Sequence, residues 1–183
     1  MWLTIGMAAR NFKEVLERLA SIPTDIYEDQ HFYFHKDLAY AAVYQALGDQ
    51  AAARLYADKA KNTLEKAVKE RLDDPRLHGA LGLAYAYLGR NIEAVEEGNR
   101  AAQLYPVSLD IAQGSIYVLN LARIHTILGE KEKAIEYLKY LLSIPMCEYL
   151  WDLISVPLLR LDPQWDSLRA HPRYQELRER NLF

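Results

Sequence analysis

The chain has 183 residues, 51% of them hydrophobic and 26% charged, enough for a continuous core in one compact domain or one short solenoid. A formal net charge of −3, with no dense block of Lys and Arg, argues against nucleic acid as a partner. The single cysteine, Cys147, excludes an intramolecular disulfide and a cysteine-built zinc site. Its neighbour Glu148 offers no cation to activate the thiol, so a quiet side chain is expected. No window approaches the roughly 18 uninterrupted apolar residues of a membrane span. The N-terminal apolar run lacks a basic lead and is cut by Arg10 and Asn11, so it does not read as a signal peptide. The cytoplasm is the expected compartment, and no membrane partner is expected.

In chain order, residues 1–29 read as a degenerate helix hairpin: a short helix from Trp2 to Ala9, then a second from Asn11 to Leu19. A native N-terminal cap and a truncated repeat fit that pattern equally. Three Leu-Gly pairs follow, Leu47-Gly48, Leu88-Gly89 and Leu128-Gly129, at intervals of about 40 residues. Each closes one amphipathic pattern shortly before the next begins, as expected where a helix must end in a left-handed residue. The flanks repeat too. Tyr40-Ala41, Leu81-Gly82 and Leu121-Ala122 lie upstream, and Ala53, Ala94 and Ala134 downstream. Small residues at those sites let the two helices of a hairpin approach closely. The expected repeats span 30–74, 75–108 and 109–145, with Pro106 ending the second. Residues 49–73 read as one long helix with Leu64, Ala67, Val68 and Leu72 on its apolar side. After Pro145 the period breaks. Over 146–183, Asp162-Pro163 and His171-Pro172 each read as a helix start. A C-terminal helical cap is expected there, with Trp165, Leu168, Tyr174 and Leu177 on its inner side.

These residues resemble the tetratricopeptide repeat (TPR), whose Leu-Gly-x-x-Tyr and Ala positions they match. Asp37, His78 and Val118 stand where that pattern has tryptophan, and Ala57, Gly98 and Leu138 where it has a bulky residue. The interval also exceeds the usual 34 or so. From Phe32 to Leu177, and most specifically in LDPQWDSLRAHPRY, the chain resembles the C-terminal TPR region of prokaryotic signalling proteins, which often follows a Ser/Thr kinase, a nucleotide cyclase or a DNA-binding regulator. The resemblance implies an all-α, right-handed superhelix of antiparallel helix hairpins. It also implies a scaffold or ligand-sensing role, with a protein or peptide segment as partner, or an upstream effector domain of the same polypeptide.

Motifs for catalysis are missing: no glycine-rich phosphate loop and no Gly-x-Ser-x-Gly elbow occur. No enzymatic role and no cofactor are expected. His78 and His125 occupy repeat positions and read as packed, hydrogen-bonded core residues. The acidic runs around Glu93–Glu97 and Glu130–Glu136 read as solvated helix faces. One alternative is a metal-dependent helical enzyme in which Glu28, His31 and His35 share a helix face. Another is a self-assembly module that stacks through its N-terminal end.

In the superhelical reading, the first helix of each hairpin lines a concave groove. Its inward positions are His35, Leu38, Ala42 and Gln45, then Arg76, Gly79, Leu83 and Tyr87, then Leu119, Asn120, Arg123 and Ile127. The lysine and asparagine clamp of chaperone-tail-binding TPR domains is not matched: Leu38 and Ala42 stand at two of its positions, and Asn120 alone fits. A rival expectation is that a neighbouring domain, or the chain's own segment, fills the groove; Arg76 and Arg123 read equally well as paired at the surface.

Overall fold

The computed structural model describes residues 2–144 and 154–179; Cys147 lies outside the described residues. Two short helices, α1 (Trp2–Ala8) and α2 (Phe12–Ser21), come first. A left-handed Arg10 (φ 55°) turns the chain between them. Then come α3 (Lys36–Leu47) with α4 (Gln50–Glu70), α5 (Pro75–Leu88) with α6 (Asn91–Leu104), and α7 (Ile111–Ile127) with α8 (Lys131–Leu141). Each pair turns through a glycine with φ between +77° and +80°: Gly48, Gly89 and Gly129. Beyond each glycine an amide donates five residues back, from Asp49 to Tyr44, Arg90 to Tyr85 and Glu130 to His125. That closure satisfies a carbonyl the helix end would leave orphaned. The aspartates before α4, α5 and α7 accept from the first-turn amides of Ala52, Arg76 and Gln113.

The hairpins pack against one another in chain order, and α5 also touches α7 directly. The expected close approach is realised at Gly82. A Cβ there would lie 3.0 Å from the Ala94 carbonyl and the Gly98 amide, so only glycine lets α5 seat on α6 at this depth. Helix α4 is one long helix but stops short of the anticipated 49–73, and its buried side is Ala53, Ala57, Ala60, Leu64 and Val68. Leu72 does not join it: the helix ends at Glu70, and Leu72 is 63% exposed in the following turn.

One departure from an all-α chain is a two-stranded antiparallel hairpin, β1 (Ile26–Glu28) with β2 (Tyr33–His35), in register Ile26↔His35 and Glu28↔Tyr33. The Asp29 carboxylate accepts from the amides of His31 and Phe32, both at 2.8 Å. That side-chain turn competes with helix formation, and the aromatic and β-branched flanks suit strands.

At the C-terminal end lie α9 (Val156–Leu161), a six-residue 3-10 turn (Pro163–Leu168) and α10 (Pro172–Glu179). Asp162 caps the 3-10 turn by accepting from the Gln164 amide at 3.0 Å. Trp165, Leu168, Tyr174 and Leu177 are all buried, in one cluster with Ala122, Ile135 and Leu138 of α7 and α8. The Tyr174 hydroxyl donates to the Leu159 carbonyl at 2.8 Å.

Candidate partner-binding site

The helical metal triad is not formed. Glu28 ends β1, His31 sits in the hairpin tip, and His35 ends β2 and caps α3. Glu28 pairs with Arg71 at 3.0 Å, whereas His35 is buried and accepts through Nδ1 from the Asp37 amide. The side-chain turn at Asp29 replaced the helix face that would have brought the three together. Among the described residues no group of three or more His, Cys, Asp or Glu side chains is placed to hold a metal ion.

His78 and His125 are core residues. His78 contacts the Glu97 carboxylate at 2.5 Å and the Leu72 carbonyl at 2.9 Å. His125 pairs with Glu130 at 2.9 Å and stacks on Tyr137 with ring centroids 5.5 Å apart. Burial pushes the His125 imidazole below its ordinary value, against the opposing pull of Glu130. Both rings are buried, so neither is exposed to a substrate.

The expected inward residues divide into two sets. Leu38, Leu83 and Ile127, from α3, α5 and α7, are half-buried beside the middle core cluster. At the C-terminal ends of α5 and α7 the neighbour is the chain itself. Arg123 Nε donates to the Gln164 side-chain carbonyl at 2.9 Å, and its Nη1 donates to Asn120 at 3.1 Å. Tyr87 lies in the field of Arg123 and Asp162, and burial pushes its hydroxyl up to about 12. The 3-10 turn touches both α3, which carries the half-buried Gln45, and α7. Arg10 closes this end from the other side, reaching both carboxylate oxygens of Asp166 at 2.7 Å. Arg169 holds the same carboxylate at 2.5 Å. The chain's own 3-10 turn thus lies against α3 and α7 at this end. Arg123 at this end and Arg76 at the other both bond to groups of the chain itself.

The opposite half is open. A cleft of about 610 Å³ lies at the N-terminal ends of α5 and α7. Arg76, Tyr105, Gln113 and Tyr117 line one side of it, and the hairpin tip Gln30-His31 another. Arg76 is locked in place: Nε and Nη2 donate to the two Asp74 oxygens at 2.9 and 2.7 Å, and Nη1 donates to the Asp29 carbonyl. Burial raises the Asp74 carboxyl, but Arg76 outweighs it and holds the group below the usual range. Arg71 bridges Glu28 and Asp74 at 3.0 and 3.4 Å, tying the β-hairpin to the turn between α4 and α5. Burial pushes the Tyr117 hydroxyl up to about 12. Of the expected groove residues Arg76 alone lines this cleft. Tyr105, Gln113, Tyr117 and the hairpin tip were not expected there. Tyr117 neighbours Val118, the residue in the tryptophan position, which was the one available signal.

Residues 117–144, most of α7 and all of α8, match the family model of the tetratricopeptide repeat. The match supports a TPR protein, a class of generally non-enzymatic scaffolds for protein–protein binding. No curated protein and no solved structure matches the chain. No helix among the described residues is long and apolar enough to cross a membrane.

Proposed function

We propose that the chain is a protein-interaction or ligand-sensing module, the regulatory region of a cytoplasmic signalling protein, and that it holds a partner's peptide or protein segment on the inner face of a right-handed superhelix. Repeats at 30–74, 75–108 and 109–145 build that face. Residues 1–29 precede it as a degenerate hairpin, and residues 146–183 cap it. The observation that carries the reading is the division of the face formed by α3, α5 and α7. One half is covered by the chain's own Asp162–Leu168 segment, and the other opens into the 610 Å³ cleft. A pocket of this size with a few fixed polar groups is of the kind that binds ligands. The partner therefore enters at Arg76, Gln113 and Tyr117. Leu38, Leu83 and Ile127 continue the surface, while His35, Gln45, Tyr87, Asn120 and Arg123 shape its closed end.

A photo-crosslinking amino acid at Gln113, set against one at Ile92 on the exposed side of α6, tests this in cells that express the chain. A discrete partner crosslinks from position 113 and not from 92. Equal capture from both positions, or capture from 92 alone, refutes the inner-face assignment.

A further inference from the structure

The open cleft has an uneven supply of donors and acceptors. Its two guanidinium groups are already engaged: Arg76 by Asp74 and the Asp29 carbonyl, Arg71 by Glu28 and Asp74. Acceptors remain. Glu70 lines the cleft, is exposed, and has no hydrogen bond or ion pair among the described residues. Asp73 lines it too, is 85% exposed at its side chain, and meets a single cation, the half-exposed Arg100, at 3.1 Å. The third acceptor is of another kind. Tyr117 is only 4% exposed, yet its hydroxyl, on the cleft wall, has no hydrogen-bond partner among the described residues. The ring is held in the core while the hydroxyl reaches the cleft without a protein partner, so a ligand group can bond it in place of water. Apolar surface lies alongside. Leu72 is 63% exposed on the rim, and Tyr105 tilts against Tyr117 with centroids 6.2 Å apart.

From this arrangement we infer that the cleft receives a lysine or arginine side chain of the partner's polypeptide segment, an inference that rests on the inner face being the partner surface. The aliphatic stem lies along Leu72 and Tyr105, as long basic side chains do on apolar surface. The cationic end donates to Glu70, Asp73 and the Tyr117 hydroxyl, with the tyrosine rings adding cation–π attraction. An anionic segment finds no spare donor of comparable strength, since Arg71 and Arg76 would first have to leave Asp74. The negative net charge of the chain acts in the same direction, by attracting basic segments before contact.

The test uses three blocked, fluorescein-labelled peptides of alternating alanine with lysine, glutamate or glutamine. Fluorescence anisotropy reads affinity, and amide chemical shifts of Gln113 and Tyr117 read location. The lysine peptide binds best and shifts both amides. E70Q/D73N weakens it about fivefold, as expected for losing two partly exposed charge contacts. Y117F weakens it further while circular dichroism stays unchanged. The control E17Q/E96Q makes the same charge change on exposed helix faces away from the cleft and leaves binding unaltered. Equal weakening by the control shows mere charge attraction and overturns the inference. So does tighter binding of the glutamate or glutamine peptide at the same amides, which leaves the inner-face reading standing. A lysine peptide that shifts neither amide also overturns it. Failure of the inner-face reading itself shows separately, in the crosslinking contrast between positions 113 and 92.

Discussion

Gly114→Ala sets two rules of physical chemistry against each other. Gly114 lies in the first turns of α7 with ordinary helical geometry, so propensity alone says that alanine stabilises the helix by up to about 1 kcal/mol. Packing says the reverse. A Cβ at this position would lie 2.6 Å from both the amide nitrogen and the Cα of Val107, and 2.7 Å from the Pro106 carbonyl carbon. Comfortable carbon–carbon separation is about 3.5–4.0 Å, so the α6–α7 connection must retreat by about 1 Å. The obstructing atoms are backbone, so no rotamer change relieves the clash. Overpacking of this kind costs about 1–3 kcal/mol, and the rigid obstacle places this case at the upper end. The expected net loss is about 2 kcal/mol after the propensity gain. For a chain of this size that lowers the melting temperature by about 4–8 °C. Urea unfolding followed by circular dichroism measures it. The connection begins next to Tyr105, so the variant also displaces one wall of the open cleft. A variant as stable as the parent, or more stable, refutes the packing argument.

Acid destabilisation follows from two histidines. Burial lowers the imidazoles of His35 and His125 below their ordinary value, so the unfolded chain binds protons that the folded chain resists. Their contribution is therefore full above about pH 6.5 and declines as pH falls through the lowered folded-state values. H35N/H125Q flattens unfolding free energy against pH between about 7 and 5, and an unchanged slope contradicts the assignment. Tyr174→Phe removes the buried hydroxyl bond to Leu159 and costs about 1–2 kcal/mol in urea unfolding; a neutral result removes that bond from the account. Asp166→Asn weakens the clasp with Arg10 and Arg169. Both Arg10 and Asp166 are more than a third exposed, so global stability falls by no more than about 1 kcal/mol. Amide exchange nonetheless accelerates at the α1–α2 turn, and exchange rates equal to wild type exclude the clasp as a tie between the two ends.

Much of the helical layout is legible from local chemistry. The turns at Gly48, Gly89 and Gly129 need a left-handed residue. Ala41, Gly82 and Ala122 announce close helix contact, and Asp162-Pro163 announces a helix start. These are effects of neighbouring residues, or of a periodic face, and they survive without knowledge of the fold. The histidines at 78 and 125 were legible for the same reason: their places in the repeat face the core. Residues 28–35 carry helical spacing of Glu28, His31 and His35, yet the segment turns at Asp29 instead, because its side chain takes the amides of His31 and Phe32.

What the tertiary structure alone decided is where α3, α5 and α7 are covered by the chain itself and where a cleft stays open. Arg10 and Asp166 are far apart in the chain, and no local pattern pairs them. The same holds for Arg123 with Gln164 and for Arg71 with Glu28. Such contacts depend on where several stacked hairpins carry their ends, a sum of small packing rotations that no single residue encodes. They turn a groove expected along three helices into a closed end at Tyr87 and an open cleft at Tyr117.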